Sequence, residues 1–270
     1  MSLRRRLPTA VVLLAVIAAV VQWSPPPVFF GLLQILVVAG LLEFYGLARR
    51  RKIEVRPAAG TALALLLQLP WVVPGLKPEM ALALGLFGLA MVFLFGVRSL
   101  EAVVAFPAAI AVTAFGAVYI GFTMGYVYGL RLEHGPSALY FFLAVIVIGD
   151  TGAMLIGKLF GRRKMAPWAS PNKTWEGAVG GFVLSVAAAV GAGAVLFAGG
   201  SPAVHALAGA LLGLVSQAGD PVESLFKRAA GVKDSSGLLP GHGGFLDRLD
   251  GYLLAAPAFY YFLCLAWGRP

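Results

Sequence analysis

Cysteine is almost absent from this chain. Cys264 stands alone, which excludes an intramolecular disulfide, and no zinc-ligand spacing occurs. Charge is nearly as scarce: 12% of residues are charged against 60% hydrophobic, and the mean hydropathy is +0.87. That balance excludes a soluble domain of 270 residues. Internal repeats and low-complexity tracts are also missing. The net charge of +9 does not call for nucleic acid, because basic loops are what a membrane protein places on its cytoplasmic side.

Apolar runs are abundant. Nine stretches have roughly the length of a membrane-crossing helix, at about 8–23, 28–48, 57–75, 80–97, 103–130, 138–157, 176–199, 203–219 and 251–267. The fifth is long enough to be tilted or broken. With a cytoplasmic N-terminus, only Lys77, Arg131 and Arg269 of the 21 basic residues face outside. That asymmetry predicts an all-α, polytopic membrane helix bundle of about nine spans, N-terminus cytoplasmic and C-terminus outside. Arg4, Arg5 and Arg6 followed by VVLLAVIAAVV also have the n-region and h-region of a signal peptide, but QWSPPP offers no small-residue cleavage site, so a retained first span is expected. Residues 1–135 read as scaffold helices and 136–270 as the catalytic half of one continuous membrane domain.

The acids are few and unevenly placed. Asp150, Glu176, Asp220, Glu223, Asp234, Asp247 and Asp250 crowd into about a hundred residues that include both long cytoplasmic loops. Asp150 lies within the apolar run FFLAVIVIGDTGAMLIG, where a carboxylate is costly and needs an interior partner; a packing hydrogen bond between helices would explain it equally. Asp220, Glu223 and Lys227 follow one another at spacings of three and four, so on a helix they share a face. Pro221 suits the first turn of a new helix with Asp220 as its cap, the bland reading of that acid. The sharper reading is that paired carboxylates with an adjacent lysine suit a magnesium ion carrying a polyphosphate. Asp247 and Asp250 repeat the spacing, and a capped, solvated helix start with Arg248 as counter-charge is their alternative. Between the two pairs, Gly243 and Gly244 in LLPGHGG let backbone amides approach an anion, and His242 is placed as a phosphate donor or metal neighbour. In SPNKTWEG, Ser170, Asn172, Lys173 and Thr174 supply donors, and Lys173 and Glu176 are spaced to orient each other. Arg162, Arg163 and Lys164 need no more than the positive-inside rule.

Residues 224–250, SLFKRAAGVKDSSGLLPGHGGFLDRLD, closely resemble the signature of the phosphatidate cytidylyltransferase family, and Asp150-Thr151, SPNKTWEG and the SQAGD lead-in resemble its other blocks. The resemblance covers about residues 140–252. It implies condensation of CTP with phosphatidic acid to CDP-diacylglycerol and pyrophosphate at an inner (plasma) membrane, using Mg2+ alone or together with a second cation, with the site facing the cytoplasm. On that resemblance Asp220, Asp247 and Asp250 hold the metal with Glu223 as an auxiliary ligand. Lys173, Lys227, Arg228, Lys233 and Arg248 hold phosphate, and Ser170, Thr174, Glu176, His242, Gly243 and Gly244 assist. The expected partners are CTP, phosphatidic acid and the bilayer, with a homodimer possible and no nucleic acid. A cation-coupled transporter is the alternative of another class, since intramembrane carboxylates mark ion paths; most of these acids, however, fall at span ends. DRLDG shares the start of the aspartate motif of CDP-alcohol phosphotransferases, but YLLAAPAFYY after it lacks the rest.

Overall fold

The computed structural model describes residues 15–238 and 243–267. The elements in order are α1 (15–23), α2 (Pro26–Arg50), α3 (Pro57–Gln68), α4 (Pro78–Leu94), α5 (Leu100–Gly116), α6 (Thr123–Glu133), α7 (Gly135–Phe160), strands β1 (Lys164–Ala166) and β2 (Ser170–Thr174), α8 (Trp175–Leu196), α9 (Pro202–Ala229), α10 (Leu246–Leu253) and α11 (Ala255–Trp267). Helices dominate because a backbone in hydrocarbon must satisfy its own hydrogen bonds. Proline opens α2, α3, α4, α7 and α9, at positions where its missing N–H costs nothing. Ser99 and Thr174 cap α5 and α8 by accepting from the amides of Ala102 and Gly177, each at 3.2 Å.

Six helical stretches among the described residues are long and apolar enough to cross a membrane: Pro26–Arg50, Leu100–Glu133, Gly135–Phe160, Trp175–Leu196, Pro202–Ala229 and Leu246–Ala266. The other three expected spans are shorter or lie partly outside the description. α3 stops after 12 residues, where Pro70 forces a tight 3-10 turn at Leu69–Trp71, and α4 has 17. The start of the first stretch, with Arg4, Arg5 and Arg6, lies outside the described residues. The long fifth stretch is not broken. It passes from α5 to α6 through a π-helical turn at Ala117–Phe122.

The cap alternative for Asp220 is excluded, and the loop between α7 and α8 holds a hairpin. α9 runs straight through Pro221 instead of restarting there, so Asp220 caps nothing. Proline within a spanning helix is tolerated because neighbouring helices hold the chain in place. The loop between α7 and α8 is not irregular throughout: β1 and β2 form an antiparallel hairpin, Lys164 opposite Thr174 and Ala166 opposite Ser170.

The C-terminal half is a layer of α7, α8 and α9 closed by α10 and α11. Phe141, Phe142 and Phe259 fill its centre, their rings nearly parallel at centroid distances of 5.4 and 5.9 Å across the α7–α11 contact. α7 and α8 approach backbone to backbone through small residues. A Cβ added at Gly181 would stand 2.7 Å from the Ala153 Cβ and 2.8 Å from the Gly149 carbonyl oxygen. Gly181→Val is therefore expected to lower stability by about 1–3 kcal/mol, read as a fall in the unfolding midpoint in detergent; an unchanged midpoint would show that the two helices can separate freely.

In the N-terminal half the Tyr45 hydroxyl donates to the Thr113 carbonyl at 2.8 Å, and Gln34 and Gln68 exchange amide hydrogen bonds at 3.0 and 3.2 Å. The C-terminal end of α7, the hairpin, the N-terminal end of α8, the C-terminal end of α9, the N-terminal end of α10 and the C-terminal part of α2 all meet at one end of the bundle.

Candidate active site

At that end lies a cavity of about 240 Å³, lined by Asp150, Met154 and Lys158 of α7, Met165, Asn172, Lys173 and Thr174 of the hairpin, Gly177 and Ala178 of α8, and Gln217 and Asp220 of α9. Asp220 is held between two donors. One oxygen lies 2.8 Å from the Lys173 ammonium and the other accepts from the Ser224 hydroxyl at 3.2 Å. Asp150 and Asp250 stand within electrostatic reach of Asp220 and of each other. Gly251 lies against Asp150, where an added Cβ would come 3.4 Å from its Oδ2. Three aspartates from α7, α9 and α10 thus converge, although the chain separates the first from the last by a hundred residues.

Behind them lies a buried ionic triad. The Lys227 ammonium is 2.5 Å from Glu223 and 2.6 Å from Asp247, and the three side chains are 10%, 0% and 7% exposed. Charges so desolvated persist only when paired. The second oxygen of Asp247 accepts from the amide and hydroxyl of Ser235, both at 2.9 Å, and from the Gly244 amide at 2.7 Å. Lys227 and Gly244, read from sequence as phosphate ligands, therefore spend their donors on the protein's own carboxylates. Gly243 has φ +77, and a Cβ there would stand 2.6 Å from Asp247 Oδ2. Glycine is required for both reasons.

Glu43 of α2 is a site residue that the sequence reading missed. It is 6% exposed and accepts from the Ser236 hydroxyl at 2.6 Å and from the amides of Phe245 at 3.0 Å and Leu246 at 2.8 Å, and it shares with Asp247 the single proton of the Ser235 hydroxyl, 2.8 Å away. One carboxylate thereby ties the middle of the segment that joins α9 to α10 to the start of α10. The signal was present: an acid inside the apolar run VVAGLLEFYG, the same anomaly that singled out Asp150. Tyr119 was missed too. It lies on the π-helical turn with its hydroxyl buried, without a hydrogen-bond partner among the described residues, and within electrostatic reach of Glu223, Asp250 and Asp220.

The remaining predicted residues divide between framework and exposed positions. Glu176 does not pair with Lys173. It accepts from the amides of Arg162 at 3.0 Å and Arg163 at 3.2 Å, folding the chain back after α7. Thr174 is the α8 cap, and Ser170 sits in the hairpin register. Arg228 ties the hairpin to α9 by donating to the carbonyls of Ala169 at 3.2 Å and Val232 at 3.1 Å. Lys233 and Arg248 are exposed. His242 lies outside the described residues.

No group of three or more His, Cys, Asp or Glu side chains among the described residues is poised to enclose a metal ion. That does not disqualify magnesium, which keeps most of its waters and takes one or two carboxylates together with substrate phosphates. Asp220 and Asp250, with Asp150 beside them, supply such hard oxygen donors. Five carboxylates, Asp150, Asp220, Glu223, Asp247 and Asp250, stand with three lysines, Lys158, Lys173 and Lys227, so acids formally outnumber bases at this end of the bundle. A divalent cation fits that surplus.

The Cytidylyltransferase family model matches residues 4–266. A phosphatidate cytidylyltransferase of Brucella suis biovar 1 is 44% identical over 151 residues, 55% of this chain and 56% of the relative. One from Pseudomonas aeruginosa is 44% identical over 144 residues, 52% of this chain and 53% of the relative. One from Mycobacterium tuberculosis is 41% identical over 133 residues, 49% of this chain and 40% of the relative. The chain thus spans about half the length of the curated relatives it matches.

Proposed function

The chain belongs to the cytidylyltransferase family, and on that premise we propose that it is a phosphatidate cytidylyltransferase of phospholipid biosynthesis. The carrying observation is the cavity itself: Asp150 and Asp220 meet Lys158 and a lysine-bearing hairpin at the end of apolar helices, the level at which a lipid phosphate and a soluble nucleotide can meet. In the reaction a phosphate oxygen of phosphatidic acid bonds to the α-phosphorus of CTP, the bond from that phosphorus to the β-phosphate bridge breaks, and pyrophosphate leaves. The attacking phosphate is already anionic, so no strong general base is needed; alignment and charge neutralisation supply the rate.

Asp220 and Asp250, with Asp150 beside them, are the proposed magnesium ligands. Bound there, the ion would neutralise charge on the triphosphate as pyrophosphate departs. Glu223 and Asp247 act on that region through Lys227, which they hold in place. Lys173 is the cation that can turn from Asp220 to an incoming phosphate, with Lys233, Arg248 and Ser170 as further donors. Nine spans with a cytoplasmic N-terminus in a plasma membrane fit this reading, because Arg49, Arg50 and Arg51, at the end of α2, and Arg162, Arg163 and Lys164, after α7, belong to the same end of the bundle as the cavity.

The test is incorporation of label from CTP carrying a radioactive α-phosphate into organic-extractable lipid by the purified protein in mixed micelles. Product is expected only with phosphatidic acid and Mg2+ present, and EDTA should abolish it. No lipid product, with cation flux in proteoliposomes instead, would overturn the reading in favour of a transporter.

A further inference from the structure

The cavity is lined by two lysines in unlike circumstances. Lys173 is committed to Asp220 at 2.8 Å, whereas Lys158 has no ion pair or hydrogen bond among the described residues. Lys158 occupies the last turn of α7, one helical turn beyond Met154, so the two share a face and both line the cavity. Met165 of β1 completes that side of the lining. The neighbouring stripe of α7 is apolar and uncovered: Leu155 is 50% exposed, Leu159 74% and Phe160 66%. Lys158 therefore stands on the boundary between an acid-lined cavity and a surface that hydrocarbon would cover.

An uncommitted ammonium beside an apolar stripe matches a ligand that is anionic at one end and greasy at the other. A nucleotide triphosphate has no use for the stripe. Resting on the reaction proposed above, we propose that Lys158 binds the phosphate of the lipid substrate as it enters the cavity, with the acyl chains against Leu155, Leu159 and Phe160. A lysine at the end of a spanning helix also has ordinary reasons to be there, namely the helix dipole and snorkelling to the interface. Those reasons make no distinction between the two substrates, and so kinetics separates them.

The experiment compares Lys158→Met, which keeps the apolar stem, and Lys158→Arg with the unaltered protein, varying phosphatidic acid and CTP separately in mixed micelles. A charge-assisted hydrogen bond is strong enough that Lys158→Met should raise the KM for phosphatidic acid by about tenfold or more, with the KM for CTP unchanged and Lys158→Arg restoring most of the loss. An unchanged lipid KM, or a rise in the KM for CTP, would overturn the assignment while leaving the reaction intact. If the unaltered protein forms no CDP-lipid at all, the reaction falls and this site with it.

Discussion

Asp247→Asn is expected to abolish turnover, by on the order of a thousandfold, in a protein that still folds in detergent. The change preserves shape and removes charge. Asp247 holds Lys227 at 2.6 Å with one oxygen and gathers Ser235 and Gly244 with the other, so its charge orders both the ammonium and the loop that returns to α10. With asparagine there, the amide must turn a donor toward either Lys227 or the loop donors, and one of the two sets loses its acceptor. Incorporation of CTP label into lipid, measured beside the unfolding midpoint, checks this. Near-normal activity in a folded variant would refute the claim that this acid organises the site.

Lys227→Met should have the largest effect on stability of any single change in the site. It strands Glu223 and Asp247, two carboxylates at 0% and 7% exposure, without their shared cation. Breaking a buried pair from one side typically costs about 3–5 kcal/mol. Lys227→Met combined with Glu223→Gln should recover part of that loss, because only one uncompensated charge then remains. Unfolding midpoints in a single detergent give the comparison. If Lys227→Met is as stable as the parent, or if the second change makes it worse, the triad does not hold this end of the bundle together.

Physical chemistry explains which parts of the site could be read in advance. A carboxylate in an apolar run is anomalous wherever it occurs, which is why Asp150 stood out. Glu43 carries the same anomaly, but its partners at Ser235, Ser236, Phe245 and Leu246 lie some two hundred residues away, and no local spacing announces them. The i to i+4 spacing of Glu223 and Lys227 was legible and became an ion pair at 2.5 Å. The cap alternative for Asp220 rested on proline usually opening a helix; tertiary packing carried α9 through Pro221 instead, and the carboxylate lies with Lys173 and Ser224. The Gly244 amide meets an anion, but that anion is Asp247 of the protein itself.

Composition and hydrophobic period by themselves determined that this is an all-helical membrane protein and that its acids gather in the second half, because burial of apolar surface and backbone satisfaction in lipid depend on residue type alone. Only the tertiary structure decided which acids face the cavity, which are consumed by the protein's own donors, and that α2 reaches across to clasp the loop before α10. Those outcomes turn on distances between residues remote in the chain. A buried charge takes the nearest available partner in space, whatever its position in sequence.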